Sequence, residues 1–499
     1  MASLKQRIVK GGAVVLSAHV MQKGFTAIFV IVFSQLLSLR MFGELMLAMT
    51  LMNLLTLVSL FGLPAALQKF CSGEKNAEIK RNFRAIASLI TLSSGLASIV
   101  VWLSHETLAA FFESSPSFAS LMAFAAAGIF AQGIYRLAYE TLRAREDGKN
   151  YFISDNLLSV GKIAFPLVCY FTFSSAAAAL GGLVLAYAVA ALWTLRKVSH
   201  SVEVPELRRV AQREWAPLLR FSLPAWLAGF TYVVAQHVDK IMLGALLSAS
   251  SVGLYTAAST VAMLLTLFHT AFAAIFSPVA ADSQRTGKEE EMHQGYRWVS
   301  KWSLFTCGAG LLVFAGGGDY ILSIFGSEYA NPAAYAALLC LCFFYFACSS
   351  MGPSGSVLQM CGSNEWESFN AGVFLVVNIA ANLTLIPKMG ILGAALATLL
   401  AGFARLALQW WQLRTRHNLR PLSAASTVMA LIVVVSALAA AFAPPFSLLR
   451  IGAAATGLVA LTIGQFLRLS DQERHLATSL RQRKFNLKDL LENSLIQST

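Results

Sequence analysis

Charge is what this chain has least of: Asp, Glu, Lys and Arg make up 13% of its 499 residues, against 57% hydrophobic. A soluble globule needs about 25% charged residues to clothe its surface, so that class is excluded. Cysteine is sparse and odd in number, seven, and Cys340 and Cys342 do not form a CxxC pair. Neither a disulfide framework nor a metal site is expected. The sequence contains no GxxxxGKS/T loop and no HExxH pair, which removes the P-loop and zinc-hydrolase chemistries. Long outer loops are also missing, the longest being about 104–117. Enzymes that polymerise or ligate sugars at a membrane generally need a sizeable ordered region there, so no enzyme and no bound cofactor is expected.

What is present instead is a succession of apolar runs, each long enough to cross a hydrocarbon core of about 30 Å as a helix. About fourteen spans are predicted, at 12–38, 43–66, 84–104, 118–142, 152–173, 175–195, 216–244, 251–279, 298–318, 333–352, 366–386, 390–413, 423–442 and 449–467. The first follows a basic start, "MASLKQRIVKGG", but holds His19, Gln22 and Lys23 and has no small-residue cleavage site. It is therefore expected to be a retained helix rather than a signal peptide.

The net charge of +13 is distributed in a way that speaks of topology rather than nucleic acid. With the N-terminus placed in the cytoplasm, the inner segments hold nearly all the loop cations, from Lys5, Arg7 and Lys10 to the basic C-terminal tail. The outer loops hold Arg40, Lys388 and Arg450, an asymmetry of about tenfold that fits the positive-inside rule. Both termini are expected in the cytoplasm, and the basic excess is expected to meet anionic lipid.

Internal repetition gives the architecture. "GELMLAMTLMNLLTLVSLFGLP" from Gly43 lines up with "GLYTAASTVAMLLTLFHTAFAAIFSP" from Gly253, sharing "LLTL" at an offset of 210. "GKNYFISDN" matches "GSNEWESFN" at 214, and "LGGLVLA" from Leu180 matches "LGAALAT" from Leu392 at 212. Chance likeness between apolar helices has no reason to keep one register. The offset spans six predicted helices, an even number, so both copies enter from the same side and a pseudo-twofold axis should run along the membrane normal. The expected division is an N-terminal six-helix lobe (1–195), a cytoplasmic amphipathic connector (196–222), a C-terminal six-helix lobe (216–414), two extra helices (423–468) and a cytoplasmic tail (469–499). The fold class is all-α, polytopic in the membrane, with two six-helix lobes facing each other.

Charged residues inside spans cost roughly 2.5–3.5 kcal/mol each on the insertion scale, so they face protein, water or the interface. His19, Gln22, Lys23 and Thr26 share one face of span 1, and Gln132, Arg136 and Glu140 rise above one another in span 4. Asp155, Ser159 and Lys162 share a face of span 5, with Pro166 beyond. Span 7 contributes His237, Asp239 and Lys240, span 8 His269, span 11 Asn378 and Asn382, and span 12 Arg405 and Gln409. Lys23, Lys162, Arg405 and Arg136 are the candidate lumen cations, suited to a diphosphate or an acidic sugar chain. Arg136 and Glu140 also stand at ion-pair spacing. The alternative for the deeper cations is structural pairing with a carboxylate such as Asp155 or Glu140. Asp239, Glu140, Asp155, His269, Asn378 and Asn382 are candidates for ion coupling or for polar lining of the lumen. Gly62, Pro64, Pro166, Pro224, Pro278 and Pro387 are candidate bending points, and Trp410 and Trp411 mark the inner interface.

With "FGLPAALQKF" closing span 2, "VDKIMLGALLSASSVGLYTAAS" across spans 7 and 8 and "MGILGAALAT" opening span 12, the chain resembles the polysaccharide or O-antigen flippases of the MOP superfamily. That superfamily also contains the multidrug and toxin extruders (MATE) and the lipid II flippases. The resemblance covers nearly the whole chain. It implies a MATE-like, V-shaped pair of six-helix bundles that moves a polyprenyl-diphosphate-linked oligosaccharide from the inner to the outer leaflet of the cell inner membrane. The expected partners are that lipid-linked oligosaccharide and membrane lipids, with a polysaccharide polymerase and glycosyltransferases acting alongside, and no nucleic acid. An ion-coupled multidrug exporter of the same superfamily is the nearest alternative, and a membrane glycosyltransferase or polymerase the more distant one.

Overall fold

A computed structural model of the protein describes residues 23–71, 77–112, 116–201, 215–419 and 424–467, and all regular structure among them is helical. Helices are what the apolar runs require, because hydrocarbon offers the backbone no other hydrogen-bond partner. The first half comprises α1 (Lys23–Leu36), α2 (Leu39–Ser59), α3 (Leu63–Phe70), α4 (Ala77–Leu103), α5 (His105–Phe111), α6 (Pro116–Ala144), α7 (Gly148–Phe173) and α8 (Ala176–Ser201). The second comprises α9 (Trp215–Leu246), α10 (Ala249–Met263), α11 (Thr266–Thr286), α12 (Glu289–Ser323), α13 (Pro332–Ser350), α14 (Ser354–Met360), α15 (Asn364–Met389) and α16 (Ile391–His417). A hairpin of α17 (Ala424–Phe442) and α18 (Leu448–Phe466) follows.

Ten of the described helices are long and apolar enough to cross a membrane, or up to eleven with the bent pair α10–α11 taken as one span. The shorter apolar helices α1 and α17, and the long helix α9, fall where three of the remaining spans are expected. Residues 12–22 of the predicted first span, residues 202–214 of the connector and the tail 469–499 lie outside the described residues. Helix α9 begins at Trp215, beside the expected start of the seventh span at 216, so residues 215–222 of the expected connector form its first turns.

Local chemistry places the helix starts. Side chains of Ser38, Asp147, Ser248, Asn331 and Ser447 accept a backbone N–H of the first turn of α2, α7, α10, α13 and α18, satisfying donors that a helix end otherwise orphans. Span 2 breaks between α2 and α3 at Phe61 and Gly62, both with positive φ, as its glycine suggested. Span 8 bends by 47° between α10 and α11, at Leu264 and Leu265, where no glycine or proline marks it. Pro278 lies within α11, away from that bend.

The two halves use the same helix pairs. In the first, α6 packs on α2, α4 and α8, and α7 on α8; in the second, α13 packs on α10, α12 and α16, and α15 on α16. The halves meet where α2 lies against α10. Gly43 of α2 abuts Ala249, and Gly253 of α10 abuts Leu39, residue pairs exchanged by the repeat offset of 210. Such reciprocal contacts are what a local twofold operation generates.

The α17–α18 hairpin is pinned to the second half by a buried ion pair. Arg450 bonds Asp319 of α12 and the Ala443 carbonyl (2.6 Å), with its guanidinium 4.2 Å over the Tyr335 ring. The Ser447 cap places Arg450 in the first turn of α18, within the predicted fourteenth span. Arg450→Ala should cost roughly 3–5 kcal/mol, because it strands a buried carboxylate. Arg450→Met with Asp319→Leu should recover most of that loss. Thermal unfolding of the detergent-purified variants measures both, and a tolerated single alanine would contradict the assignment.

Candidate functional site

Asp239 lies in the last third of α9, 6% exposed, at the centre of a hydrogen-bonded cluster drawn from four helices. Tyr255 of α10 donates its hydroxyl to Oδ2 at 2.5 Å, and Thr398 of α16 donates to the same oxygen at 2.5 Å. Asn382 of α15 donates to Oδ1 at 2.8 Å and to Asn378 Oδ1 at 2.9 Å, while Asn378 donates to Thr398 at 3.2 Å. Both asparagines are fully buried, and their i,i+4 spacing turns them to one side of α15. Among the described residues no cationic side chain pairs with this carboxylate. The Asn382 Oδ1 is buried without a hydrogen-bond partner.

The hydrogen bonds to Asp239 all come from neutral groups, and the adjacent charge is that of Lys240 on the same helix. Oxygen ligands from a carboxylate, two amides and two hydroxyls suit a hard cation. The cluster is not repeated. At the offsets of 210 and 212 the first half carries Phe29, Leu45, Pro166, Tyr170 and Ala186.

Lys240 follows Asp239 by one residue and about 100° of helix turn. It shares a face with Gly244, where an added Cβ would come within 2.8 Å of Leu47 of α2. Lys240 itself stays within electrostatic reach of Asp239. The rest of α9 also leans on the first half: Trp226 donates to the Leu57 carbonyl at 3.0 Å, and the Lys69 ammonium lies 4.0 Å over the Phe221 ring. Gly62 leaves the space that Ser222 and Trp226 occupy. One helix thus has its end in the Asp239 cluster and its start packed on the other half.

The predicted cations are separated into distinct environments. Lys23 of α1 donates to the Thr266 hydroxyl and to the Met263 carbonyl (3.4 Å), at the bend of span 8. His269, one turn along α11, keeps a buried Nδ1 without a partner. Lys162 of α7 sits 5.0 Å over the Tyr187 ring. Arg136 stands 3.9 Å from Glu140, which is also approached by Arg143 at 3.7 Å and by Gln68 at 2.8 Å. Asp155 accepts from Tyr139 at 3.5 Å.

Arg405 has the interhelical partner that the structural alternative calls for. With no acidic neighbour along its own helix, it bonds Glu367 at the start of α15. Glu367 also receives Gln409 at 2.9 Å, and Gln409 in turn accepts from Ser354 at 2.8 Å. Neither Asp155 nor Glu140 pairs with Lys23, Lys162 or Arg405 among the described residues. Sequence reading missed Tyr255, Thr398 and Glu367. The first two are lone hydroxyls in apolar runs and the third lies at a span end, so none carries a signal of its own.

The sequence profile of a family described as "Polysaccharide biosynthesis protein" matches residues 8–284. Two proteins of Haloferax volcanii are similar in sequence. One is a "Probable flippase AglR", 28% identical over 191 residues, which are 35% of this chain and 37% of that protein. The other is a "Probable low-salt glycan biosynthesis flippase Agl15", 29% identical over 226 residues, 44% of this chain and 45% of that protein. Each alignment thus spans less than half of the archaeal relative. In three dimensions the chain resembles a "Lipid II flippase MurJ, inward closed conformation", with a TM-score of 0.72, 12% identity and coverage of 90% of this chain and 98% of that one. An inward-facing multidrug resistance MATE transporter of the MOP superfamily gives a TM-score of 0.68 at 14% identity, covering 80% and 94%. At such identities these likenesses establish the fold.

Proposed function

The chain belongs to the polysaccharide biosynthesis protein family, and from that premise we propose that it is a flippase for a polyprenyl-diphosphate-linked oligosaccharide. It is a multi-pass membrane protein with the fold of MOP-superfamily transporters. In this reading it resides in the cell inner membrane with the basic loops and both termini in the cytoplasm. Residues 23–201 and 215–417 act as the two lobes. The oligosaccharide and surrounding lipids are its ligands, a polymerase and glycosyltransferases work beside it, and no covalent chemistry occurs on the chain.

The observation that carries the mechanism is the position of α9. Its Asp239 is bound among helices of the second lobe, while its Trp226 and Phe221 hold the first. Uptake of a proton or cation at Asp239 removes a buried negative charge and changes the packing of α9, and through it the angle between the lobes. The headgroup enters from the basic side. Lys23, which joins span 1 to the bend of span 8 across the two lobes, offers the first cation to its diphosphate. Arg136, half exposed beside Glu140, and Lys162 offer further positive charge in the first lobe. Arg405 does so in the second while Glu367 fixes its orientation.

Lys23 supplies the test. Lys23→Ala should reduce export of surface polysaccharide about tenfold with unchanged folded protein in the membrane, and Lys23→Arg should keep most of it, since the charge survives. Parallel loss of folded protein and export in the alanine variant would make Lys23 a scaffold residue instead. Proteoliposomes separate this reading from the drug exporter, which would move organic cations and leave a lipid-linked oligosaccharide in place.

A further inference from the structure

At the end of the molecule that carries the basic loops, α12 is too long for the membrane it crosses. Its 35 residues extend about 52 Å at 1.5 Å per residue, against a hydrocarbon core of about 30 Å. The first turns of α12 therefore stand at headgroup depth. The tryptophans agree with that depth, since Trp298 of α12 and Trp410 and Trp411 of α16 are all exposed and such residues collect at the interface.

Between those first turns and the end of α16 lies a cavity of about 210 Å³, lined by His293, Arg297, Asn418 and Leu419. His293 and Arg297 are one helical turn apart and share a face. Asn418 takes the left-handed conformation that ends α16, and Leu419 closes the turn by donating its N–H to the Leu413 carbonyl at 3.1 Å. The carbonyl groups of the helix end are thereby partly satisfied, which weakens their repulsion of an anion. The acids of the neighbouring turn are engaged elsewhere: Glu290 accepts from Gln294 at 2.9 Å, and Glu291 pairs with Lys288 at 3.6 Å. Arg414 and Arg416 extend the positive field, stacked on Trp410 at 5.4 Å and Trp366 at 4.4 Å. Among the described residues Arg297, Arg414 and Arg416 form no ion pair.

We propose that this cavity is a phosphate-binding site that takes the headgroup of an anionic phospholipid from the basic-side leaflet. The guanidinium of Arg297 presents paired donors to phosphate oxygens, and the carboxamide of Asn418 adds a further one in the cavity that His293 also lines. Leu419 gives the cavity an apolar wall for the start of the glycerol and acyl portion. The site sits on the outer flank of the second lobe, apart from the Asp239 cluster, and does not depend on what the transporter carries.

Full-length protein purified in detergent can be titrated by native mass spectrometry with phosphatidylglycerol, phosphatidylcholine and inorganic phosphate as separate probes. One phosphatidylglycerol should be retained about tenfold more tightly than phosphatidylcholine, and His293→Gln with Arg297→Gln should erase that preference. Arg297→Lys should keep part of it. Arg285→Gln, which removes an exposed cation already paired with Asp282, should change nothing. Binding of inorganic phosphate without any preference for phosphatidylglycerol would keep the anion site but overturn the lipid as its ligand. Equal retention of the two lipids without phosphate binding, or undiminished phosphatidylglycerol binding in a double variant with a wild-type melting temperature, would overturn the proposal.

Discussion

Asp239→Asn should lower export of surface polysaccharide by on the order of 100-fold, the upper range of coupling between sites, while folded protein stays in the membrane. The carboxylate is nearly isosteric with the amide, and its partners Tyr255 and Thr398 are hydroxyls that can turn to accept as well as donate. Rearranging those bonds costs about 1–2 kcal/mol, which a folded membrane protein tolerates. What the variant loses is the ability to bind and release a positive charge. Wild-type protein should therefore gain thermal stability from the coupling cation. A ligand at 100 times its Kd adds about 2.7 kcal/mol, and a scan of Na+, K+ and Li+ chlorides at constant ionic strength, repeated at several pH values, identifies it or points to the proton. The variant should show no such gain. Normal export by Asp239→Asn, or the same cation-dependent stabilisation in both proteins, would remove Asp239 from the coupling mechanism.

The parts of this architecture that sequence revealed are those written in periodic or costly residues. Apolar runs marked the spans, the recurrence of "LLTL" and its companions pointed to two like halves, and the expense of Asp239 in hydrocarbon singled out a residue that the structure surrounds with polar partners. Asn378 and Asn382 were legible because polar amides one turn apart are unusual in a span. Tyr255 and Thr398, which complete the cluster, were not, because a threonine can bond its hydroxyl to its own helix backbone and a tyrosine is mostly apolar ring, so neither stands out in a span. Glu367 illustrates a different limit: its pairing with Arg405 is set by the rotation and relative height of α15 and α16, which hydrophobicity alone does not determine. The bend at Leu264 and Leu265 has no local marker either. Its loosened backbone is supported from another helix, since Lys23 bonds the Met263 carbonyl.

Gly43→Val should trap the transporter away from the conformation described here. A Cβ at this position would stand 1.7 Å from the Ala249 carbonyl oxygen and 2.5 Å from its carbon. The obstacle is backbone, which cannot swing aside as a side chain would, so α2 and α10 must separate where the lobes now touch. Overpacking of this kind costs roughly 1–3 kcal/mol, and placed on one of two states it shifts their ratio by a factor of about 5 to 150. In the proposed orientation this contact lies at the outer ends of spans 2 and 8. Its separation should raise labelling of a cysteine introduced at Leu39 by a membrane-impermeant maleimide, in a background without the seven native cysteines. Export should fall in proportion as the outward-closed state becomes scarce. The reciprocal variant Gly253→Ala should act more weakly, because its Cβ would lie 3.0 Å from the Leu39 carbonyl oxygen and a small shift relieves it. Unchanged labelling and export in Gly43→Val, with wild-type amounts of folded protein, would show that the α2–α10 contact is not the seam along which the lobes part.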